Sequence, residues 1–179
     1  MSSVPSGDSK PESIPGYADN PAAAVRAAFS HIAATRMADL PINNPALQVD
    51  VMGFRDWEGQ WVGVLVTPWA IDLIIVPGEG AGFRRLGIDQ RQTWVFPSGS
   101  FEFLGGDEPP LGPYQSCSLF APVHEFTDHD SACRAAMTAL EALFVPEAQP
   151  APPAEPPPER PRTISRRDLL RGRFFGNRR

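Results

Sequence analysis

Apolar residues recur at helical intervals in two parts of the chain, and the segments between them follow the shorter period of β-strands. The first helix is predicted over residues 22–40, because Asn20 can cap it and Pro21 suits its first turn. The second is predicted over residues 128–144, with Thr127 or Asp128 able to cap it. The side chains expected to face the body are Val25, Phe29, Ile32, Ala33, Met37 and Leu40, then Cys133, Met137, Leu140 and Phe144.

Six segments between the helices have the composition of strands. Their connections are too short for crossover helices, so the strands are expected to pair in an antiparallel sheet. The order of elements indicates an α+β domain, in which a mostly antiparallel sheet is flanked by an N-terminal and a C-terminal helix on one face. The predicted strands are residues 47–51, 60–67, 69–76, 94–97, 100–104 and 115–121, with loops at residues 78–82 and 105–112.

Composition separates this domain from the two ends of the chain. Residues 1–16 are rich in Ser, Pro and Gly and poor in large apolar residues, so this segment is predicted to be disordered. Residues 146–161 form a proline-rich linker that favours an extended conformation. We therefore expect a folded domain over residues 17–145 and a basic tail over residues 162–179.

The charge of the chain differs between the domain and the tail. Residues 1–150 hold 18 acidic and 8 basic side chains, whereas residues 151–179 hold 3 acidic and 8 basic ones. An acidic domain argues against nucleic-acid binding, because neutralisation of phosphates dominates such binding. The charge favours a basic peptide or a basic protein surface as the partner, or it serves only to keep the protein in solution.

Cysteine and histidine side chains are too few and too scattered to predict a metal centre or a catalytic site. His124, His129 and Cys133 can be imagined as a ligand set, but structural zinc sites usually need four close ligands, so no metal and no cofactor is predicted. Cys117 lies in a predicted strand with its side chain inward, which favours a structural thiol. The glycine-rich residues 78–82 open no helix, so a phosphate site is not expected. We predict that the chain is not an enzyme, the alternative being a thiol hydrolase that uses Cys117.

Features of export and of membrane insertion are not apparent in the sequence. The start of the chain lacks a basic region followed by an apolar run, and no stretch of about 18 apolar residues is present. We therefore expect a cytoplasmic protein without a membrane span. Transient contact of the basic tail with anionic lipid remains an alternative.

Three tryptophans, Trp57, Trp61 and Trp69, fall close together along the predicted strands. Most of this aromatic surface is expected in the core. Trp57 stands between Asp56 and Glu58 in a predicted turn, so it is the tryptophan expected to be exposed. An exposed aromatic ring among carboxylates suits the capture of a basic, partly apolar peptide.

The tryptophan-rich region also carries a family resemblance. Its EGQW, TPW and PG segments resemble the signature of the HybE/HupJ family of [NiFe]-hydrogenase assembly chaperones. The resemblance covers roughly residues 20–145 and continues in the arginine-rich end of the tail. The segments that carry it are residues 25–40, 58–61, 67–69, 77–78, 97–99 and 114–122.

Such a resemblance implies a maturation factor that attends the hydrogenase small-subunit precursor and delays its export until assembly. The target would be the twin-arginine signal of the precursor or its mature part, and the large subunit is a further implied partner. Some relatives are associated with or fused to a rubredoxin, so the alternative is an adaptor that holds a rubredoxin or an iron–sulfur donor. This chain has no rubredoxin cysteines, so such a partner would be a separate protein. The family offers no catalytic residues to carry over.

The tail adds a motif of its own. Residues 165–171 resemble the export consensus S-R-R-x-F-L-K, with Leu169 in place of Phe, but no apolar segment follows them. The motif is therefore either a plain basic tail or a mimic that occupies the client groove when no client is bound. Near the strands, Gly59 and Pro68 are expected to shape turns and Trp61 to lie in the core. The candidate partner-binding residues are Trp57, Glu58, Gln60, Trp61, Thr67, Pro68, Trp69, Arg166 and Arg167.

Overall fold

A computed structural model describes residues 14–146, in which six strands and two helices follow the predicted order. The strands form one antiparallel sheet in the order β1-β2-β3-β6-β5-β4, so β1 and β4 are its edges. The α+β fold with a helix at each end is thereby confirmed, whereas the linker, the tail and most of the predicted disordered start lie outside the described residues. The elements are α1 (Ala22–Ala34), β1 (Asp50–Trp57), β2 (Gln60–Val66), β3 (Ile71–Val76), β4 (Arg91–Phe96), β5 (Gly99–Glu108), β6 (Gly112–Phe120) and α2 (His129–Leu143).

The two helices cover opposite faces of the sheet, so the prediction that both pack on one face is wrong. Alternate residues of β2 divide between two cores: Val62, Val64 and Val66 contribute to the core under α2, and Leu65 to the core under α1. Strands β2 and β3 are apolar at nearly every position, which is typical of strands that are buried on both faces. These strands carry a continuous apolar run in place of an alternation of apolar and polar residues. Both faces of the sheet therefore need a helix to cover them.

Helix α1 ends at Ala34, although the apolar spacing predicted that it would continue to Leu40. Thr35 leaves helical backbone angles, and the backbone N–H of Met37 then donates to the carbonyl of Ile32 at 3.0 Å. Met37 still packs against the core from this turn, whereas the Leu40 side chain is 39% exposed. Periodicity therefore identified Met37 correctly as a side chain that packs against the core, but it did not locate the end of the helix.

The predicted loop over residues 105–112 is mostly strand, because β5 continues to Glu108 and pairs there with Gly112 at the start of β6. The glycines that indicated a loop serve close packing instead. A Cβ atom on Gly106 would lie 2.4 Å from the ring of Tyr114 on the neighbouring strand. Glycine inside a strand often marks such a close approach.

Helix α2 begins as predicted, behind an N-cap at Asp128. The Asp128 carboxylate accepts a hydrogen bond from the backbone N–H of Ser131 at 2.7 Å. Leu140 is fully buried on the face that packs against the sheet. The expected partners Cys133 and Met137 are only partly buried beside it, so the helix is rotated slightly from the predicted orientation.

Candidate partner-binding surface

The candidate residues from the folded domain divide between the two ends of β2. Residues 57–61 comprise the β1–β2 turn and the strand residues beside it, whereas residues 67–69 lie in the corner between β2 and β3. A strand of seven residues is about 23 Å long, so the two groups do not form a single site.

Trp57 is half-buried, and the expectation that it would be exposed is wrong. Its ring stacks on Phe96 with the centroids 4.1 Å apart, and its edge meets Trp94 at 6.0 Å. Phe96 belongs to β4, the opposite edge of the sheet, so the sheet is curved enough to bring the ends of its two edge strands together. Trp57 covers the core where the ends of β1 and β4 meet. A local sequence pattern, which indicated only a turn, does not reveal this contact.

Gln60 and Trp61 hold the β1–β2 turn against neighbouring segments. The buried Gln60 amide donates to the carbonyl of Ala81 at 3.3 Å and accepts from the backbone N–H of Gly78 at 3.1 Å. The Trp61 indole N–H donates to the carbonyl of Tyr17 at 2.9 Å, and its ring packs against the core under α1, as expected. Gln60 has no exposed surface to offer a partner, so it acts here by positioning the turn.

The glycines of this turn permit contact between two backbones. Gly59 has a φ of +75°, which favours glycine, and a Cβ atom on it would lie 2.6 Å from the Cα atom of Gly80. The backbone N–H of Gly80 donates to the Gly59 carbonyl at 2.8 Å. Gly59 therefore shapes the turn as predicted, and the glycine-rich residues 78–82 pack against that turn.

Three exposed carboxylates lie at this end of the sheet. Glu58 stands at the tip of the turn, Asp56 precedes it, and Glu79 belongs to the loop held against Gly59. No salt bridge of these three side chains is found within residues 14–146. We call Asp56, Glu58 and Glu79 the acidic turn.

The corner at the other end of β2 is fixed by hydrogen bonds. The buried Thr67 hydroxyl donates to the carbonyl of Ala70 at 2.8 Å and accepts from its N–H at 3.0 Å. The Pro68 carbonyl accepts from the backbone N–H of Asn44 at 2.7 Å, and the Asn44 amide in turn donates to the carbonyl of Val123 at 2.9 Å. Thr67 thus shapes the corner from inside, and Pro68 lies at a turn, as predicted.

Beside this corner lies an open groove of about 470 Å³ between α1 and the segment that precedes β1. Small and apolar side chains line much of it, among them Ala33, Ala34, Leu47, Val49 and Pro68. We call this feature the corner groove. Trp69, next to Pro68 in the chain, is half-buried and packs against the core under α1.

The thiol chemistry of the domain does not resemble that of a catalytic cysteine. Burial, and then the negative charge of Asp72, raises the pKa of Cys117, so this side chain favours the neutral thiol. A catalytic cysteine needs the opposite shift. Cys117 packs against the core under α2, which fits the structural role expected from the sequence.

The histidine and cysteine set considered from the sequence is only partly assembled. His129 and Cys133 lie together, with Nε2 and Sγ 3.3 Å apart, and their third neighbour is Asp50. His124 is not in this group. The i,i+4 spacing of His129 and Cys133 on a helix signalled their proximity, but no local signal pointed to Asp50.

Arg166 and Arg167 lie outside the described residues, so the structure does not place the twin-arginine-like motif. Within residues 14–146, neither helix has the length and apolar character needed to cross a membrane.

Comparison with known proteins identifies the family. The chain matches the family described as "[NiFe]-hydrogenase assembly, chaperone, HybE" over residues 20–172. Protein HoxT of Cupriavidus necator is 42% identical over 164 residues, 85% of this chain and 86% of that protein. "Probable rubredoxin HupJ" of Rhodobacter capsulatus is 34% identical over 129 residues, 72% of this chain but 46% of that protein. The solution structure of HybE from Escherichia coli matches with a TM-score of 0.61 and 28% identity, covering 93% of this chain and 95% of that one. The chain therefore belongs to the HybE family of [NiFe]-hydrogenase assembly chaperones.

Proposed function

We propose that this protein binds the hydrogenase small-subunit precursor in the cytoplasm and delays its export until the subunit is assembled. Its family supports a role in hydrogenase assembly. The observation that carries the finer proposal is the pair of features at the two ends of β1, the acidic turn at one end and the corner groove at the other. A twin-arginine signal combines two arginines with an apolar segment, and these two features complement both parts.

The acidic turn supplies the chemistry for an arginine pair. Carboxylates bind guanidinium groups through two parallel, charge-assisted hydrogen bonds. Asp56, Glu58 and Glu79 are exposed, so they need not give up an internal ion pair to bind a client. Trp57, between Asp56 and Glu58 in the chain, anchors this end of β1 by stacking on Phe96.

The corner groove supplies the apolar part of the surface. Its lining of alanine, leucine, valine and proline side chains suits apolar side chains of a client segment. β1 has eight residues and is about 26 Å long, so an extended client segment of about eight residues spans the distance between the two features. A signal peptide that lies along this edge of the domain reaches both.

The direct test measures the affinity of the full chain for the small-subunit precursor with and without its signal. The informative variant combines Asp56→Asn, Glu58→Gln and Glu79→Gln, which removes three charges at the acidic turn. Three surface ion pairs at about 0.5 kcal/mol each predict about tenfold weaker binding of the signal-bearing precursor. The control combines Asp89→Asn, Glu102→Gln and Glu125→Gln, which removes the same charge from exposed positions elsewhere.

The possible outcomes distinguish binding to the signal from binding to the mature subunit. Equal affinity for the precursor with and without its signal would place the binding target in the mature part and exclude the acidic turn as a signal site. Equal weakening by the two triple variants would mean that overall charge, and not this turn, attracts the client. The assembly role shown by the family would stand in either case.

The second candidate is an adaptor that holds a rubredoxin or an iron–sulfur donor during maturation. It is favoured by the relative named as a probable rubredoxin, which is about twice as long as the region that this chain matches. A rubredoxin-like protein captured with the tagged chain, and identified by its bound iron and visible absorption, would support the adaptor. Capture of the small-subunit precursor or the large subunit alone would favour the chaperone.

A further inference from the structure

A carboxylate, an imidazole and a thiol meet where the start of β1 packs against the first turns of α2. The Cys133 Sγ atom lies 3.3 Å from Nε2 of His129 and 3.9 Å from Oδ2 of Asp50. The same Nε2 and Oδ2 atoms are 3.5 Å apart. We propose that these three side chains bind a divalent transition-metal ion, with Zn²⁺ the best fit.

The spacing of the three atoms is that of a tetrahedral site. Zinc lies about 2.0–2.3 Å from nitrogen, oxygen and sulfur ligands, which places neighbouring ligand atoms of a tetrahedron about 3.4–3.6 Å apart. The separation of 3.5 Å lies within this range, and those of 3.3 and 3.9 Å lie within about 0.3 Å of it. An ion can therefore enter with little movement of the side chains, and its fourth position is open to water or to an atom of a partner.

The ligand types and their placement on the chain favour the same ion. A mixture of thiolate, imidazole and carboxylate suits Zn²⁺ better than Mg²⁺ or Ca²⁺, which prefer oxygen. His129 and Cys133 lie one helical turn apart on the same face of α2, where the helix holds their separation. The side chains of His129 and Asp50 are 18% and 25% exposed, so an ion in solvent can reach them.

Neighbouring groups orient the carboxylate of Asp50 and also limit the affinity of the site for a metal ion. Oδ1 of Asp50 accepts from Arg26 at 2.5 Å and from the backbone N–H of Val51 at 2.8 Å, which leaves Oδ2 facing the other two ligands. Such outer contacts commonly fix the orientation of metal ligands. The positive charge of Arg26 and the N-terminus of α2 both oppose a cation, so we expect weaker binding than in a closed four-ligand site.

One contact has to be released when the ion binds. The backbone N–H of Gln48 points at Nδ1 of His129 from 3.5 Å, whereas an ion on Nε2 requires the imidazole proton to move to Nδ1. A hydrogen bond of that length contributes little to stability, so its loss reduces the free energy of metal binding only slightly. A slight rotation of the His129 ring separates the two N–H groups.

A nucleophilic role for the same cluster is disfavoured. Cys133 and Asp50 both approach the Nε2 atom of His129, whereas a catalytic triad needs the nucleophile and the orienting carboxylate on different nitrogens of the imidazole ring. Burial, followed by the negative charges of Asp50 and Asp130, raises the pKa of Cys133. The arrangement therefore suits a ligand set better than an activated thiol.

The test uses Co²⁺ as a spectroscopic substitute for Zn²⁺ and the full chain. Cys117 and Cys133 are the only cysteines in the sequence, so any thiolate-to-cobalt charge-transfer band must come from one of them. We expect the band in the native chain and in the Cys117→Ser control, and no band in Cys133→Ser. Absence of a band in the native chain, or its loss only in Cys117→Ser, would overturn the proposal.

A second variant separates loss of the ligand from loss of the fold. His129→Gln is expected to weaken Zn²⁺ binding by at least about tenfold in competition with a chromophoric chelator, because even outer-shell losses reach that size. His124→Gln serves as its control and should bind as the native chain does. Zn²⁺ should also raise the thermal midpoint of the native chain and of His124→Gln but not of His129→Gln. Equal Zn²⁺ affinity for all three proteins would show that only adventitious binding occurs.

Discussion

At the scale of single residues, the signature residues around Gly59 mainly join two backbone segments of the domain and offer little surface to a partner. Gln60 links the β1–β2 turn to Gly78 and Ala81, and Gly59 touches Gly80 directly. These residues are thus needed for the shape of the acidic turn. The exposed carboxylates beside them are the groups available to a partner.

Gly59→Ala is expected to lower the free energy of unfolding by about 2 kcal/mol. A positive φ costs an L-residue about 1 kcal/mol, and the new methyl group would collide with the backbone of Gly80. Urea denaturation measures the change. Gly87→Ala is the control, because its Cβ atom would lie 3.7 Å from a side chain, and a change within about 0.5 kcal/mol is expected.

Asp72 makes the stability of the domain depend on pH in a way that a surface carboxylate would not. Burial raises its pKa to about 6, although a hydrogen bond from Ser118 acts in the opposite direction. Since this value exceeds that of the unfolded chain, the contribution of Asp72 to stability is fully present below about pH 4 and is lost as the pH rises through 6. The folded state therefore carries a poorly solvated charge at neutral pH.

Asp72→Asn is expected to raise the free energy of unfolding by about 2 kcal/mol at pH 7.5 and to have little effect near pH 4. Urea denaturation at the two pH values measures the difference. Asp89→Asn, at an exposed position, should change neither value by more than about 0.5 kcal/mol. An unchanged stability of Asp72→Asn at pH 7.5 would contradict the raised pKa.

At the scale of elements, the central strands need a helix on each face because they are apolar on both. Helix α2 covers one face, and its fully buried Leu140 lies so close to β1 that a Cβ atom on Gly53 would be 2.3 Å from its methyl group. The same helix carries His129 and Cys133. Its packing therefore determines both the core and the proposed metal site.

Leu140→Ala is expected to cost about 3 kcal/mol of unfolding free energy, because it removes a buried side chain and leaves a cavity. Leu104→Ala, the same substitution at a position 44% exposed, should cost less than about 1 kcal/mol. Denaturant unfolding of both variants measures this contrast. Similar losses in the two would mean that α2 is not packed as described.

At the scale of the whole molecule, the acidic domain and the basic tail form an oppositely charged pair joined by a linker of about fifteen residues. Such a linker gives the tail a high effective concentration at the domain. We propose that the twin-arginine-like motif competes with the client signal for the acidic turn. This idea depends on signal binding, so it is tested with a signal peptide that the native chain binds.

Replacement of Arg166 and Arg167 by alanine is expected to tighten binding of a twin-arginine peptide severalfold, because the internal competitor is lost. The control replaces Arg178 and Arg179, which removes the same charge from the same tail. Fluorescence anisotropy of a labelled peptide measures both affinities. Equal affinities of the two variants would show that the tail does not act as a mimic.

The sequence by itself determined the elements and the family. Local patterns located both helices and the order of the antiparallel strands and restricted the cap of α2 to Thr127 or Asp128, because each of these depends on neighbours within a few positions. The segments around Gly59 and Pro68 identified the family, which the comparisons confirmed. These features need no knowledge of how distant parts of the chain meet.

Only the tertiary structure decided what lies beside what. Strand order and sheet curvature placed the helices on opposite faces, stacked Trp57 of one edge strand on Phe96 of the other, and separated the two candidate groups by the length of β2. They also brought Asp50 to Cys133 across 83 residues of sequence. Such contacts depend on the pairing of distant strands and on how the helices pack over them, and a local pattern carries no information about either.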